Sequence, residues 1–197
     1  MIELRGRRVL LRRVAPDDVP RLLAILGEPA VAGRWGSFTR QEVEAIFVDD
    51  DEHLAISLDG RVIGAIQFHE EADEMYRHAG IDVFVATDQQ GQGLGTDAIR
   101  TLARYLIEER GHHRLSIDPA ADNERAIRAY ERVGFLRVGV LRRYERGPDG
   151  RWHDGLLMDL LAEELTDDPT EPWRTSRGPP PAIVTRAGPR SRGRRRT

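Results

Sequence analysis

Apolar and polar positions along the chain change period several times, and each change marks an element. Arg8-Val9-Leu10-Leu11-Arg12-Arg13-Val14 reads as a first strand. Pro16-Asp17-Asp18 then opens a helix with Val19, Leu22, Leu23 and Leu26 at helical spacing. A proline and two acids in the first turn suit its unbonded N–H groups and positive end. Residues 27–36 read as a loop carrying Arg34-Trp35-Gly36. Thr39 followed three residues on by Glu42 is a capping-box pattern, and predicts a short helix ending near residue 49.

Two strands follow, 53–58 and 62–69, joined by Asp59-Gly60, a dipeptide suited to a tight hairpin. The acidic stretch 70–74 leads into a strand over 79–86. Helices are expected at 93–109 and 124–133, separated by a strand over 114–118. A final strand pair, 135–146 and 152–161, turns at Pro148-Asp149-Gly150. The order is β-α-α-β-β-β-α-β-α-β-β. Three consecutive antiparallel strands and a terminal hairpin exclude a purely parallel sheet. The expectation is a single α/β (α+β) domain over 1–165. Its central sheet is mixed and mostly antiparallel, with helices on both faces. Residues 166–197 are expected to form a disordered, Pro/Gly/Arg-rich basic tail.

Composition narrows the chemistry. No run approaches the roughly 18 apolar residues of a membrane span, and Met1-Ile2-Glu3-Leu4-Arg5 lacks the pattern of a signal peptide. A cytoplasmic protein with no membrane association is expected. The chain has no cysteine, which removes disulfides, thiolate metal sites and an acyl-cysteine intermediate. Its six histidines have no metal-ligand spacing; His112-His113 reads as a loop pair, and no metal is expected. The net charge of -3 conceals an asymmetry: residues 174–197 hold eight arginines and no acid, leaving 22 basic and all 33 acidic residues in 1–173. An acidic body attracts cations and repels nucleic acid. The tail could dock on the acidic body of another subunit, which leaves a homodimer open.

The most informative segment is Asp88-Gln89-Gln90-Gly91-Gln92-Gly93-Leu94-Gly95-Thr96, between a buried-looking strand and a long helix. Glycines let backbone approach a ligand closely, and a helix N-terminus offers free N–H groups, so a pyrophosphate is the natural guest. The spacing is neither the G-x-G-x-x-G dinucleotide fingerprint nor a Walker loop. Gln90 to Gly95 resembles the Gln/Arg-x-x-Gly-x-Gly/Ala signature of the GNAT family of N-acetyltransferases. The segment from Asn123 through Ala126, Tyr130 and Gly134 to Phe135 resembles that family's second signature. The resemblance extends over about residues 7–161. It implies acetyl-CoA as cosubstrate, its pyrophosphate held by Gln90, Gly91, Gln92, Gly93, Leu94, Gly95 and Thr96. It also implies cofactor contacts from Val83, Phe84, Val85 and Ala126, and from Asn123 a contact with the pantetheine arm.

Transfer from a thioester to an amine needs a neutral nitrogen, oxyanion stabilisation and often a proton for the departing thiolate. The resemblance implies that the Tyr130 hydroxyl supplies that proton, although a tyrosine at this spacing also suits packing. Asn123 is an N-cap candidate in its own right. Asp82 interrupts an apolar strand, which is costly for a carboxylate unless it is paired or lines a cleft. Asp118 ends the next strand before Pro119 and either caps the loop or faces a substrate.

Asp82, Asp118 and the helix after them resemble the aminoglycoside 6'-N-acetyltransferase branch. That resemblance implies that Asp82 acts as base or orients the amine, and that Asp118 grips acceptor amines. It implies Trp35 as an acceptor wall, with Glu70, Glu71, Asp73 and Glu74 adding negative potential near the acceptor mouth; loop packing for Trp35 and solvation for the acids are the alternatives. The acceptor is then a cationic small-molecule amine such as an aminoglycoside. A protein N-terminus, lysine, polyamine or siderophore amine fits the same charge, and a non-catalytic acyl-CoA sensor is the reading outside enzymology.

Overall fold

A computed structural model of the protein describes residues 2–48 and 50–165. The predicted tail, 166–197, lies outside the described residues. Strand β1 (Glu3–Arg5) pairs with β2 (Leu10–Arg13), and three helices follow: α1 (Val19–Leu26), α2 (Pro29–Trp35) and α3 (Arg40–Phe47). Strands β3 (His53–Leu58), β4 (Arg61–Glu70) and β5 (Ala79–Val85) form an antiparallel meander. Helix α4 (Leu94–Glu108) crosses to β6 (Arg114–Ile117), and α5 (Glu124–Glu131) precedes the β7–β8 hairpin (Leu136–Arg146, Trp152–Leu161). Among the described residues eight strands lie in one sheet ordered β1-β2-β3-β4-β5-β6-β8-β7, and β5–β6 is its one parallel strand pair.

Alternating strand residues feed two cores. Leu54, Ile56, Ile66 and Ile81 point toward α4 and α5, meeting Leu94, Ile99, Leu102, Leu106 and Ile127. Ala55, Ala65 and Phe84 point to the opposite face, against Leu22, Ile25, Val43 and Phe47 of α1 and α3. Period 2 on the strands and period 3.6 on the helices thus build one layer of helix on each side. Asp82 shares the second face with Phe84, one residue beyond the apolar packing.

Two expectations need correction. Residues 27–36 are not simply loop, because Pro29 starts α2 and Gly36, at φ 81°, ends it. Pro at the first position and Gly past the last are ordinary helix punctuation; Gly33 within so short a segment weakens the signal. The N-terminal segment adds β1, a strand too short for alternation to reveal. The capping box at Thr39 forms as predicted: Thr39 N–H donates to Glu42 at 2.7 Å, and Glu42 N–H donates to Thr39 Oγ1 at 3.3 Å. The Asp59-Gly60 hairpin also forms, with both residues at positive φ.

One feature of the sheet positions the site. Strands β5 and β6 pair only at Ala79↔Leu115 and Gly80↔Ser116. Beyond these, the chain after β6 follows β8: Leu156 N–H donates to the Pro119 carbonyl at 2.8 Å, and Ala121 N–H to the Asp154 carbonyl at 2.8 Å. β5 stays on β4 as far as Gly64↔Val85. The sheet therefore splits between β5 and β6, and the backbone of residues 83–85 faces the opening.

Candidate active site

The glycine-rich turn sits at one end of this split. Gly91 and Gly93 take φ 78° and 81°, a left-handed conformation that a Cβ disfavours. An added Cβ at either would meet nothing within 4 Å, so the turn's backbone is open to a ligand. Gly93 is the N-cap of the fifteen-residue α4, whose first N–H groups have no helical partner. Gln90 ties the turn down: its side-chain amide donates to the Val85 carbonyl at 2.6 Å and its Oε1 accepts from Arg125 on α5. From behind, the Asp97 carboxylate accepts the N–H groups of Arg7, Arg8 and Val9, fixing the first turn of α4 to the β1–β2 loop.

A cavity of about 380 Å³ runs from this turn into the split. Val83, Phe84 and Val85 line one side and Asn123, Ala126, Ala129 and Tyr130 the other, with Gln90, Gly91, Gly93, Gly95 and Thr96 at its outer end. Arg125 and Arg132 add positive charge to the lining. Asn123 also caps α5, accepting the Ala126 N–H at 3.2 Å. Gln92 and Leu94 are not brought to the cavity. The Gln92 side chain donates to the Asp88 carbonyl at 3.0 Å, and Leu94 is wholly buried in the core.

A second cavity of about 320 Å³ is lined by Asp82, Ile117, Asp118, Tyr144 and Glu145. It meets the first at Arg34, Trp35, Val83, Asn123 and Tyr130, which line both. Trp35 is wall and packing at once, set edge-on to Phe84 with ring centroids 5.0 Å apart at 67°. Arg34 spans the mouth to Asp122 at 2.6 Å, tying α2 to the loop before α5.

Electrostatics differ sharply between these groups. Burial first, and then the negative charge of Asp118, push the Asp82 carboxyl above its ordinary range; a hydrogen bond from Gln67 opposes them. Tyr130 is buried, and burial followed by the charges of Asp82 and Asp118 raises its hydroxyl far above the usual phenol value. It therefore stays protonated at working pH. Among the described residues no group of three or more His, Asp or Glu is placed to hold a metal ion, and no helix is long and apolar enough to cross a membrane.

Glu70, expected near the acceptor mouth, lines neither cavity. It ends β4 opposite Ala79, three pairs from Asp82, and its carboxylate is taken by Arg110 and His112. The acids after it are used locally, Glu71 accepting the Asp73 N–H at 3.0 Å and Asp73 the Met75 N–H at 2.9 Å. The acid that does line the second cavity beside Asp82 and Asp118 is Glu145. Sequence reasoning also missed Tyr144 and Arg125. Both reach the cavities through tertiary placement, and no spacing rule marks them.

A glycine turn at a helix start, opening into a cavity that joins a second one at a buried tyrosine and there meets two aspartates, has room for two substrates end to end. Residues 8–136 match the family described as "Acetyltransferase (GNAT) domain". The chain belongs to this family, and is accordingly an acetyl-CoA-dependent N-acetyltransferase acting on an amine. A putative ribosomal N-acetyltransferase, YdaF, of Bacillus subtilis is 35% identical over 81% of this chain and 92% of its own length. An aminoglycoside N(6')-acetyltransferase type 1 of Klebsiella pneumoniae is 30% identical over 72% of this chain and 79% of its own. Among solved structures, a GNAT-family acetyltransferase from Bacillus anthracis superposes with a TM-score of 0.75 at 20% identity. It covers 83% of this chain and 100% of that one, a likeness of fold. An aminoglycoside acetyltransferase AAC(6')-Ib in complex with coenzyme A gives 0.64 at 27% identity, covering 79% and 96%.

Proposed function

We propose that the protein acetylates an amine of a polycationic small molecule of the aminoglycoside class. The observation that carries this reading is the pair Asp82 and Asp118 lining the same cavity beside Tyr130. Carboxylates placed together favour the encounter with an ammonium and orient it. The aminoglycoside relative, similar over 72% of this chain, supports the same class.

Acetyl-CoA supplies the thioester carbonyl that the amine attacks. The open N–H groups from Gly91 to Thr96 suit its pyrophosphate, and Arg125 and Arg132 suit its remaining phosphate charge. The exposed edge of Val83, Phe84 and Val85, facing Asn123 and Ala126, suits the pantetheine arm. Asp82, with its raised pKa, takes the proton that the acceptor ammonium must lose before it is nucleophilic, or orients that ammonium. Tyr130 faces the point where the cavities join. Its hydroxyl is a far weaker acid than a thiol of pKa ~8.5, so complete proton transfer to the thiolate runs uphill in the free enzyme. Its role is best described as a hydrogen bond that strengthens as the sulfur acquires charge.

A second reading, acetylation of a protein N-terminal amine, is favoured by the 35% identical relative. Coenzyme A thiol release at saturating acetyl-CoA, measured over aminoglycosides, polyamines, lysine and N-terminal peptides, separates the two. Turnover of aminoglycosides above the other groups supports the first. Turnover of peptides alone supports the second and removes the first.

A further inference from the structure

The β7–β8 hairpin carries a deformation that sheet pairing does not require. The ladder steps from Leu141↔Gly155 to Glu145↔His153, so Arg142, Arg143 and Tyr144 stand opposite Asp154 alone. Arg143 takes φ 50°, a left-handed conformation disfavoured for a residue with a Cβ. Two neighbours hold it there. Asp154 accepts the Arg143 N–H at 2.7 Å, and Gly155 leaves room for the next side chain. A Cβ on Gly155 would lie 2.9 Å from Cδ1 of Tyr144. With its ring over Gly155, Tyr144 extends its hydroxyl to Asp118, donating to Oδ2 at 2.5 Å.

The geometry points to Tyr144 as a positioning residue for Asp118, and to the bulge that carries it as the part of the fold that sets acceptor affinity. This rests on the reading that Asp118 binds a cationic group of the acceptor. Asp118 lies past the end of β6, outside the ladder, where a carboxylate is free to rotate. A donor on Oδ2 fixes its plane and leaves Oδ1 for a ligand ammonium. Tyr144 is suited to the task because its hydrogen bond to Asp118, and then burial, push its hydroxyl up to about 12, so it remains a donor throughout the working range. The same bulge brings Glu145 to the cavity wall. The hairpin thus contributes a tyrosine and a carboxylate to the acceptor side, while the glycine turn serves the donor side.

Steady-state thiol release with the cationic amine that the wild type uses best tests this. Tyr144→Phe keeps the ring and removes the donor. It should raise acceptor KM about tenfold, as expected for a lost hydrogen bond to a charged group, with acetyl-CoA KM and kcat within about twofold. In an Asp118→Asn background the same substitution should add nothing, because its effect passes through Asp118. Gly155→Ala, which presses on the ring, should raise acceptor KM in the same direction. Unchanged acceptor KM in Tyr144→Phe, or an undiminished further rise on top of Asp118→Asn, overturns the inference. A wild type that strongly prefers cationic amines but is indifferent to Tyr144→Phe sinks this inference alone. A wild type that uses neutral amines equally well sinks the acceptor reading, and this inference with it.

Discussion

Gln67 on β4 donates its side-chain amide to Asp82 Oδ2 on β5 at 3.2 Å, directly across the strand pair. This bond favours the ionised carboxylate, yet burial and the charge of Asp118 outweigh it, and the net shift is upward. The Asp82 carboxyl is therefore held above its ordinary range by a competition in which Asp118 is one party. Replacing Asp118 by Asn removes a negative charge, which lowers the pKa of Asp82. If Asp82 is the base, the acid limb of the kcat/KM profile should move to lower pH. An unmoved or raised limb in that profile removes Asp82 from the role.

The same shift has a consequence for stability. Folding raises the pKa of Asp82, so the folded state favours its protonated form, and ionisation costs stability as pH rises through the unfolded and then the folded value. Asp82→Asn should raise Tm at neutral pH while lowering activity. The gain should vanish below the unfolded carboxylate pKa of ~3.9. Thermal unfolding followed at both pH values checks this, and a variant less stable at neutral pH contradicts it.

Tyr130→Phe removes the hydroxyl where the two cavities meet and leaves the ring in the core. A donor used mainly in the transition state lowers kcat without weakening ground-state binding. The expected loss is about 100-fold in kcat, with coenzyme A affinity by calorimetry unchanged. Equal turnover by the variant would reassign Tyr130 to packing.

Gly93→Ala tests the donor side. Its φ of 81° costs a residue with a Cβ about 1–2 kcal/mol, although the Cβ itself would meet nothing. Relieving that strain would move the N–H groups of the turn that lines the first cavity. Coenzyme A should bind about tenfold more weakly while acceptor KM stays put. Unaltered coenzyme A affinity would place the anion site elsewhere.

These residues also show what the sequence could reveal. The turn was legible because positive φ at Gly91 and Gly93 demands glycine, and Asn123 and Thr39 because a cap acts within three residues. Asp82 stood out as a charge in an apolar strand. Local chemistry leaves local marks. Glu70 looked equally available, but Arg110 and His112, forty and more residues on, take its carboxylate. Tyr144 reaches Asp118 through a bulge whose existence depends on Asp154 and Gly155 across the hairpin. Neither relationship has a period or a spacing. Helix α2 fell between these cases: Pro29 and Gly36 mark its ends, while its seven residues are too few to show a helical stripe.

The proposed selection of a cationic amine by Asp82 and Asp118 is most directly tested by kcat/KM for two acceptors of matched size, one polycationic and one with a single amine and neutral substituents. Both are measured by thiol release with the wild type and with the Asp82→Asn, Asp118→Asn double variant. The wild type should favour the polycation by about 30-fold or more, as expected for a bound ammonium worth at least 2 kcal/mol, and the double variant should lose that preference. Equal use of both acceptors by the wild type, or a preference that survives loss of both carboxylates, would contradict it.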